Sequence, residues 1–291
     1  MTRIGFVGLG SMGLPMAKVL AAKGFAVTGF DLRAAAMQEL AAAGGKAADS
    51  VGDALAGAEV AILMVVNAAQ AESVLFDTNA IARLAPGAVV SLMATCPPAK
   101  AAALAERVRA AGYGFVDAPV SGGVVGATGG ALTIMVGASD ADFSRAKGAL
   151  EAMGSKVARV GDTPGAGSTA KAINQLLCGV HLAAAGEALA LARRLGVDVS
   201  QILDIVSGSA ASSWMLRDRG PRMLEETPRV SSAVDIFVKD LGIVLETGAE
   251  CGAETPLAAA AHERFKQASA AGLGGQDDSQ VTRAFGDLKK G

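Results

Sequence analysis

The sequence predicts an α/β protein in which an N-terminal, doubly wound and mostly parallel sheet is followed by an all-α C-terminal domain. Up to about residue 160, short apolar runs alternate with alanine-rich helical stretches, the pattern of a parallel sheet with helices on both faces. Beyond residue 161, apolar residues recur only at helical spacing. We therefore predict two domains, 1–162 and 163–291, joined through one long helix.

The elements follow in chain order from these patterns. The candidate strands are the short apolar runs 4–7, 26–30, 60–66, 88–92, 114–117, 132–136 and 156–160. The alanine-rich segments between them, among them 34–43 and 100–111, are expected to be helices. After the break at Pro-Gly-Ala-Gly 164–167, helices are expected up to residue 195 and over 200–206, 236–251 and 257–270.

The first 31 residues carry the strongest indication of a ligand. A strand, a glycine-rich turn, a helix and a second strand that ends in Asp31 follow one another, and the turn consists of Gly8, Leu9, Gly10, Ser11, Met12 and Gly13. Gly8 permits the tight turn, Gly10 lets the backbone approach a pyrophosphate, and Gly13 lets the helix pack close to the strand. The helix N-terminus offers N–H groups to the phosphates, and Asp31 can accept hydrogen bonds from the adenosine ribose. The pattern predicts a Rossmann domain that binds a dinucleotide.

The same region indicates which dinucleotide binds. A carboxylate at Asp31 would repel the 2′-phosphate of NADP, so the sequence favours NAD, whereas Arg33 could pair with that phosphate and leaves NADP open. Met64 and Val65, late in the third candidate strand, are also expected to lie along the cofactor. Thr95 precedes a helix that Pro98 can open, although this segment taken alone favours a plain strand-to-helix connection.

A second candidate site follows the strand 114–117. The stretch Asp-Ala-Pro-Val-Ser-Gly-Gly places Ser121, Gly122 and Gly123 where ligands bind in open α/β sheets, beyond the carboxyl ends of the strands. One hydroxyl and the N–H groups of two glycines suit a small carboxylate. An ordinary glycine-rich turn is the alternative.

Lys171 is the sharpest catalytic candidate. Together with Asn174 and Gln175 it projects from one face of the first long helix after residue 165, which is otherwise apolar. Oxidation of an alcohol by NAD+ requires loss of the hydroxyl proton, and a lysine near a helix N-terminus, removed from water, is pushed toward the neutral amine that can accept it. The alternative is a structural lysine that reaches solvent.

Three further features have a structural and a functional interpretation. Lys239-Asp240 interrupts an apolar helix and is typical of a salt-bridged helix surface. Trp214, the single tryptophan, is a candidate substrate contact or a core residue. The acidic turn Asp277-Asp278 is expected to be a solvated helix cap.

Composition excludes several classes of function. The formal net charge is −2 and no Lys/Arg-rich run is present, so we expect no nucleic-acid partner. Two histidines and three separated cysteines leave little from which to build a metal site. The spacing of the cysteines is typical of reduced thiols in a cytoplasmic protein. No leader-like segment opens the sequence, and the apolar segment 176–192 is interrupted by polar residues. We expect a cytoplasmic protein that does not cross a membrane.

These pieces, in this order, resemble the β-hydroxyacid dehydrogenase superfamily, the group of 3-hydroxyisobutyrate dehydrogenase and tartronate semialdehyde reductase. The resemblance runs nearly end to end and rests on the segments 8–13, 117–123, 165–174 and 237–241. It implies a Rossmann domain followed by a helical domain through which the chains form a homodimer or homotetramer. It also makes Lys171 the catalytic acid/base, Asn174 a supporting contact and Ser121 to Gly123 the cradle of the substrate carboxylate. Thr95 and Lys239 would lie along the cofactor.

The downstream segments 175–181, 213–215, 232–237 and 277–279 are most similar to the L-threonate dehydrogenase group of this family. The resemblance therefore implies oxidation of the C2 hydroxyl of L-threonate with NAD+, and it makes Trp214 a substrate contact. A 3-hydroxyisobutyrate dehydrogenase or a tartronate semialdehyde or glyoxylate reductase is the alternative. An imine reductase, which shares the architecture, usually lacks the lysine. A non-catalytic nucleotide-binding module would have lost it too.

Overall fold

The computed structural model describes residues 1–286, which form two compact units that divide between Lys171 and Ala172. The first unit contains one sheet, whose strands are β1 (Arg3–Val7), β2 (Ala26–Phe30), β3 (Lys46–Ala47), β4 (Val60–Leu63), β5 (Val89–Leu92), β6 (Gly114–Asp117), β7 (Val120–Ser121), β8 (Leu132–Gly137) and β9 (Gly154–Gly161). Their spatial order is β3-β2-β1-β4-β5-β6-β8-β7, with β9 paired to β8. The predicted fold class, a doubly wound sheet followed by helices, is confirmed.

The strand order creates one edge at which chain segments from five strands meet. β1 pairs in parallel with both β2 and β4, so the chain winds first to one side of β1 and then to the other. The strands through β6 continue in parallel, and their last residues, Phe30, Val7, Leu63, Leu92 and Asp117, stand in register across the sheet. Open sheets of this kind bind ligands beyond the carboxyl ends of their strands, where the winding reverses. The topology therefore predicts a site at this edge.

Helices cover both faces of the sheet because the strand side chains alternate between two apolar clusters. These helices are α1 (Gly13–Ala22), α2 (Ala34–Ala42), α3 (Val51–Leu55), α4 (Ala68–Phe76), α5 (Pro98–Ala110), α6 (Gly123–Gly129) and α7 (Asp140–Met153). Phe6 packs in the cluster that contains Met16 and Leu20 of α1, whereas Val7, the next residue, packs in the cluster that contains Leu75 of α4.

The second unit is helical. Its elements are α8 (Ala166–Arg194), which begins in the first unit, α9 (Val199–Ser207), α10 (Trp214–Met223), α11 (Val234–Glu250), α12 (Pro256–Ala268) and the short helical turns Ser269–Leu273 and Asp278–Ala284. Leu182 and Leu189 of α8 pack with Leu241, and the rings of Phe237 and Phe265 stack with their centroids 4.9 Å apart. Among the described residues, α8 alone is long and apolar enough to span a membrane, and half of its apolar window is buried.

The structure changes several predicted element limits. The strand predicted at 60–66 ends at Leu63, after which the chain leaves the sheet. β3 and β7 were not predicted because two residues are too few to show a period-two pattern. The predicted domain boundary at residue 162 stays a prediction. The division between the compact units falls later, inside α8.

The acidic turn at Asp277-Asp278 is a helix cap, since Asp277 Oδ1 accepts a hydrogen bond from the N–H of Ser279 at 3.2 Å, but it is not solvated, so that part of the expectation is wrong. Both carboxylates are fully buried. Arg219 of α10 binds Asp278 with two hydrogen bonds, Nε to Oδ1 at 2.7 Å and Nη2 to Oδ2 at 3.2 Å. Arg222, one turn further along α10, donates to Asp277 at 3.0 Å. These ion pairs tie α10 to the last helical turn of the unit.

The buried carboxylates of this cluster have shifted pKa values. Burial raises the pKa of Asp278 to about 6, although the charge and hydrogen bonds of Arg219 oppose the shift. Burial acts in the same direction on Asp277, but hydrogen bonds from Ser231 and Ser279 and the charge of Arg222 outweigh it, so the pKa of Asp277 is lowered. Burial lowers the pKa of Arg219, but the charges and hydrogen bonds of Asp278 and Asp218 outweigh it, so the pKa is raised. The protonation of these buried groups thus depends on the charges and hydrogen bonds of the residues that contact them.

Candidate cofactor and substrate site

The glycine-rich loop between β1 and α1 is shaped by two of its glycines. Gly8 has φ +94°, and a Cβ there would lie 2.4 Å from the carbonyl oxygen of Met64. A Cβ on Gly13 would lie 1.9 Å from the carbonyl oxygen of Gly8. Neither position tolerates a side chain, because the loop, the end of β4 and the start of α1 are in direct contact. The structure therefore agrees with the packing that the sequence predicted for these two residues.

Gly10 differs, since a Cβ there would meet nothing within 4 Å. The fold itself does not require a glycine at this position, and the space beside it is open. A backbone without a side chain here would let a pyrophosphate come close. The first turn of α1 contains no acidic residue, and no side chain caps its N-terminus. This loop fits a dinucleotide phosphate.

Replacing Gly10 by alanine separates ligand binding from folding. We expect Gly10→Ala to weaken NAD+ binding about tenfold, equivalent to about 1.4 kcal/mol, while the midpoint of urea unfolding stays unchanged. Titration calorimetry and denaturation curves measure the two quantities. The matched control is Gly148→Ala on α7, where a Cβ also meets nothing within 4 Å. Equal NAD+ affinity in both variants would contradict the assignment of Gly10.

Asp31, directly after β2, lies against the loop. Its Oδ2 accepts a hydrogen bond from the N–H of Leu9 at 2.7 Å, and its Oδ1 accepts from the N–H and the Nε of Arg33 at 2.9 and 3.1 Å. Arg33 also donates from Nη2 to the carbonyl oxygen of Leu9 at 2.6 Å. Asp31 and Arg33 thus bind the N–H and the carbonyl oxygen of Leu9, respectively. The Asp31 side chain keeps 13% of its surface exposed, and that of Arg33 keeps 61%.

The other predicted cofactor residues of this unit follow the neighbouring strands. Met64 and Val65 come directly after β4 and are partly buried, and the N–H of Met64 donates to the carbonyl oxygen of Val7 at 2.9 Å. Thr95 is partly buried in the connection between β5 and α5. Ser11 is exposed and Met12 is partly buried at the start of α1. The sheet therefore brings these residues and Asp31 to one edge.

Ser121, Gly122 and Gly123 follow β6 beyond the same edge, where Ser121 ends β7 and Gly123 begins α6. All three are partly buried. Gly122 has φ +125° and Gly123 has φ +60°, so both adopt backbone conformations that favour glycine. The pair of positive φ angles turns the chain sharply from the strand into the helix. A turn of this kind can present N–H groups and one hydroxyl to a small anion.

Lys171 lies in the second turn of α8 and is only 7% exposed. The first turn of that helix is held by Asp117, the last residue of β6. Asp117 Oδ2 accepts hydrogen bonds from the N–H groups of Gly165 and Ser168, at 2.9 and 2.8 Å, and its Oδ1 accepts from the Ser168 hydroxyl at 2.7 Å. Burial raises the pKa of Asp117, while the hydrogen bonds from Ser168 and Gly165 oppose the shift.

In the helical unit, Asn174 and Lys239 are linked through two buried residues. The Asn174 amide donates to Gln175 Oε1 at 2.9 Å, and the Gln175 amide donates to Asp240 Oδ2 at 2.5 Å. Asp240 Oδ1 pairs with Lys239 Nζ at 2.6 Å. Asp240 is 2% exposed, so this ion pair is not simply part of a solvated helix surface. Gln175 thus has a partner on α11, and Asn174 is connected to that helix through Gln175.

Trp214 is 49% exposed at the start of α10, so it is not a core residue. The guanidinium of Arg219 lies 5.9 Å from the centre of its ring. Sequence analysis included Asp117 in a candidate loop but gave it no role, and it missed the connection between Gln175 and Asp240. A polar residue that ends an apolar strand was the available signal for Asp117. No sequence signal linked two residues that are 65 positions apart.

Comparison with known proteins decides the family. Residues 3–161 match the family model described as the NAD binding domain of 6-phosphogluconate dehydrogenase. Residues 165–285 match that described as the NAD-binding domain of NADP-dependent 3-hydroxyisobutyrate dehydrogenase. The chain belongs to the β-hydroxyacid dehydrogenase family. It is an NAD(P)-dependent oxidoreductase, as the sequence predicted.

Individual relatives of this β-hydroxyacid dehydrogenase match over almost their whole length. An L-threonate dehydrogenase of Cupriavidus necator is 46% identical over 97% of this chain and 95% of its own. An L-threonate dehydrogenase of Escherichia coli K12 is 40% identical over 98% of this chain and 95% of its own. The crystal structure of a 3-hydroxyisobutyrate dehydrogenase from Salmonella typhimurium is 42% identical, with a TM-score of 0.93 over 98% of this chain and 100% of that one.

Proposed function

We propose that this dehydrogenase oxidises the C2 hydroxyl of L-threonate with NAD+, giving 2-dehydro-L-erythronate, and that Lys171 is the general acid/base. The observation that carries the catalytic assignment is the burial of Lys171, in the second turn of a helix whose start is held at the carboxyl edge of the sheet. The substrate is supported by relatives named L-threonate dehydrogenase that match nearly the whole chain.

Each proposed residue has a chemical task in this reaction. The Ser121 hydroxyl and the N–H groups of Gly122 and Gly123 bind the substrate carboxylate and so orient C2. Lys171 Nζ accepts the proton of the C2 hydroxyl, and Asn174 supports the substrate through its amide. NAD+, when bound, accepts the hydride from C2. In the reverse direction, the Lys171 ammonium returns the proton to the carbonyl oxygen.

The cofactor-binding residues support NAD over NADP. Asp31 presents a carboxylate where the adenosine ribose is expected, and a 2′-phosphate there would meet that negative charge. Arg33, the residue that could have paired with the phosphate, is instead bound to Asp31 and to the Leu9 carbonyl oxygen. To bind a phosphate, Arg33 would have to exchange these hydrogen bonds. We therefore propose that Leu9, Asp31 and Arg33 form the NAD-selective part of the loop, with Met64, Val65, Thr95 and Lys239 further along the cofactor.

A second candidate substrate is 3-hydroxyisobutyrate, favoured by the name of the Salmonella typhimurium structure. Reduction of tartronate semialdehyde or glyoxylate is a third. All these candidate substrates have a carboxylate and at least one hydroxyl or carbonyl group, so the carboxylate cradle and the lysine do not distinguish them. Trp214, half-exposed on α10, is our candidate for a contact with the variable part of the substrate.

One screen tests the proposal. Initial rates are measured with L-threonate, D-threonate, D- and L-erythronate, 3-hydroxyisobutyrate and glycerate, each with NAD+ and NADP+, and with tartronate semialdehyde and glyoxylate in the reverse direction. We expect the highest kcat/KM for L-threonate with NAD+. A higher kcat/KM for another acid would identify that acid as the substrate in place of L-threonate. A preference for NADP+ would overturn the role of Asp31.

We also propose that the protein is cytoplasmic and that its helical domain forms a homodimer or homotetramer. Ile173, Leu177 and Leu191 of α8 are 61%, 49% and 56% exposed, which is unusual for large apolar side chains on one helix. A second copy of the chain would remove them from water. Light scattering distinguishes one chain from two or four.

A further inference from the structure

We propose that Asp117 is a positioning residue that fixes the start of α8, and with it Lys171, at the carboxyl edge of the sheet. The proposal rests on the catalytic role of Lys171 given above. It concerns how the fold keeps that amine in place.

The hydrogen bonds of Asp117 all reach the first turn of α8. Its two oxygens accept three bonds, from the Gly165 N–H, the Ser168 N–H and the Ser168 hydroxyl, at 2.7 to 2.9 Å. The partners lie 48 and 51 residues further along the chain, so this cap comes from a strand and not from the segment that precedes the helix. Helix caps are usually local, and a distant one ties the helix to a particular strand end.

This contact is buried and tight. Asp117 is 0% and Ser168 is 1% exposed, so water cannot replace a lost hydrogen bond without rearrangement. A Cβ on Gly167 would lie 2.5 Å from the carbonyl oxygen of Asp117 and 2.5 Å from that of Met135. The helix start therefore lies directly against the ends of β6 and β8. The first turn has little freedom to shift while the carboxylate is in place.

Asp117 also begins the segment that contains the proposed carboxylate cradle. The chain runs from Asp117 through Ala118 and Pro119 into β7, which ends at Ser121. The residue whose carboxylate caps the helix of the proton acceptor is therefore followed directly by the strand that leads to the substrate anchor. Lys171 follows Ser168 by three residues, within one turn of the helix. A shift of the first turn would move the amine relative to the cradle.

Loss of this cap is expected to lower the turnover number more than the binding constants. Misplacing a catalytic group by about 1 Å can cost about a hundredfold in rate. We expect Asp117→Ala to lower kcat about tenfold to a hundredfold, while the KM for L-threonate and the dissociation constant of NADH change less than about threefold. Steady-state kinetics and calorimetry measure these values.

Three companion variants show whether positioning is the cause. Asp117→Asn keeps an oxygen for the two N–H groups and should restore most of kcat. Ser168→Ala removes the hydrogen bond from the Ser168 hydroxyl to Asp117. It should also lower kcat, by a smaller factor than Asp117→Ala does. Asp198→Ala is the matched control, because Asp198 likewise accepts three hydrogen bonds, from Ser200 and Gln201 at the start of α9. It should leave kcat unchanged.

The outcomes separate this proposal from the proposed function. If Lys171→Ala abolishes turnover while Asp117→Ala and Ser168→Ala keep full kcat, the positioning role is wrong and the catalytic role stands. If Lys171→Ala keeps turnover, the catalytic assignment is wrong. If Asp117→Ala does not fold, Ser168→Ala still decides, since it deletes only a hydroxyl. A rise in KM or NADH dissociation as large as the fall in kcat would indicate general loss of structure and overturn the proposal.

Discussion

Lys171→Ala is expected to lower kcat for the hydroxy acid about a thousandfold, the loss typical of a missing general acid/base. The dissociation constant of NADH should stay within about twofold of the parent value, because the loop, Asp31 and the ends of the strands are untouched. Lys171→Arg should be almost as inactive. Arginine keeps the positive charge but does not release its proton at neutral pH. Stopped-flow kinetics and calorimetry with NADH give both quantities.

The arginine variant distinguishes two roles for the lysine. If Lys171 only attracted the substrate carboxylate, arginine would preserve much of the rate and the KM would carry the effect. The surface control is Lys147→Ala, whose side chain is 54% exposed in a pair with Glu151 and should have no effect on rate. Full activity in Lys171→Ala would show that Lys171 is not the proton acceptor.

Much of the first unit could be predicted because its signals are local. The glycines of the loop, the acid after β2 and the alternation of strands and helices are all readable within short windows, and the parallel topology then brings the strand ends together. Asp31 and Ser121 were located in this way. The strand at 60–66 was predicted too long because Met64, Val65 and Val66 are apolar like the strand, although they already belong to the edge.

The connections that were missed are long-range. Asp117 caps a helix 48 residues away, and Asp278 pairs with an arginine 59 residues away. An acidic pair such as Asp277-Asp278 is most often solvated, and only the tertiary packing of α10 over it reverses that expectation. Pairing of this kind depends on which elements meet in space. No pattern of spacing in a single sequence contains that information.

The same buried pair gives the largest expected effect on stability. Arg219→Ala should lower the free energy of unfolding by about 3–5 kcal/mol, because it leaves the fully buried Asp278 carboxylate without its bidentate partner. Replacing both residues by apolar side chains of similar size, Arg219→Met with Asp278→Leu, should recover at least half of that loss. Urea unfolding measures both variants, with Lys147→Ala, which breaks only a surface pair, as the control.

The pH dependence identifies the carboxylate as the cause. In the parent chain the pKa of Asp278 is raised from 3.8 to about 6, so its contribution to stability falls as the pH rises from about 4 to 6 and changes little above that range. Removing the Arg219 charge takes away the main opposing influence and raises the pKa of Asp278 further. The folded Arg219→Ala chain then binds a proton that the unfolded chain has lost, and its stability should keep falling between pH 6 and 8. Parallel curves for parent and variant over that interval would show that the destabilisation comes from lost packing rather than from an unpaired charge.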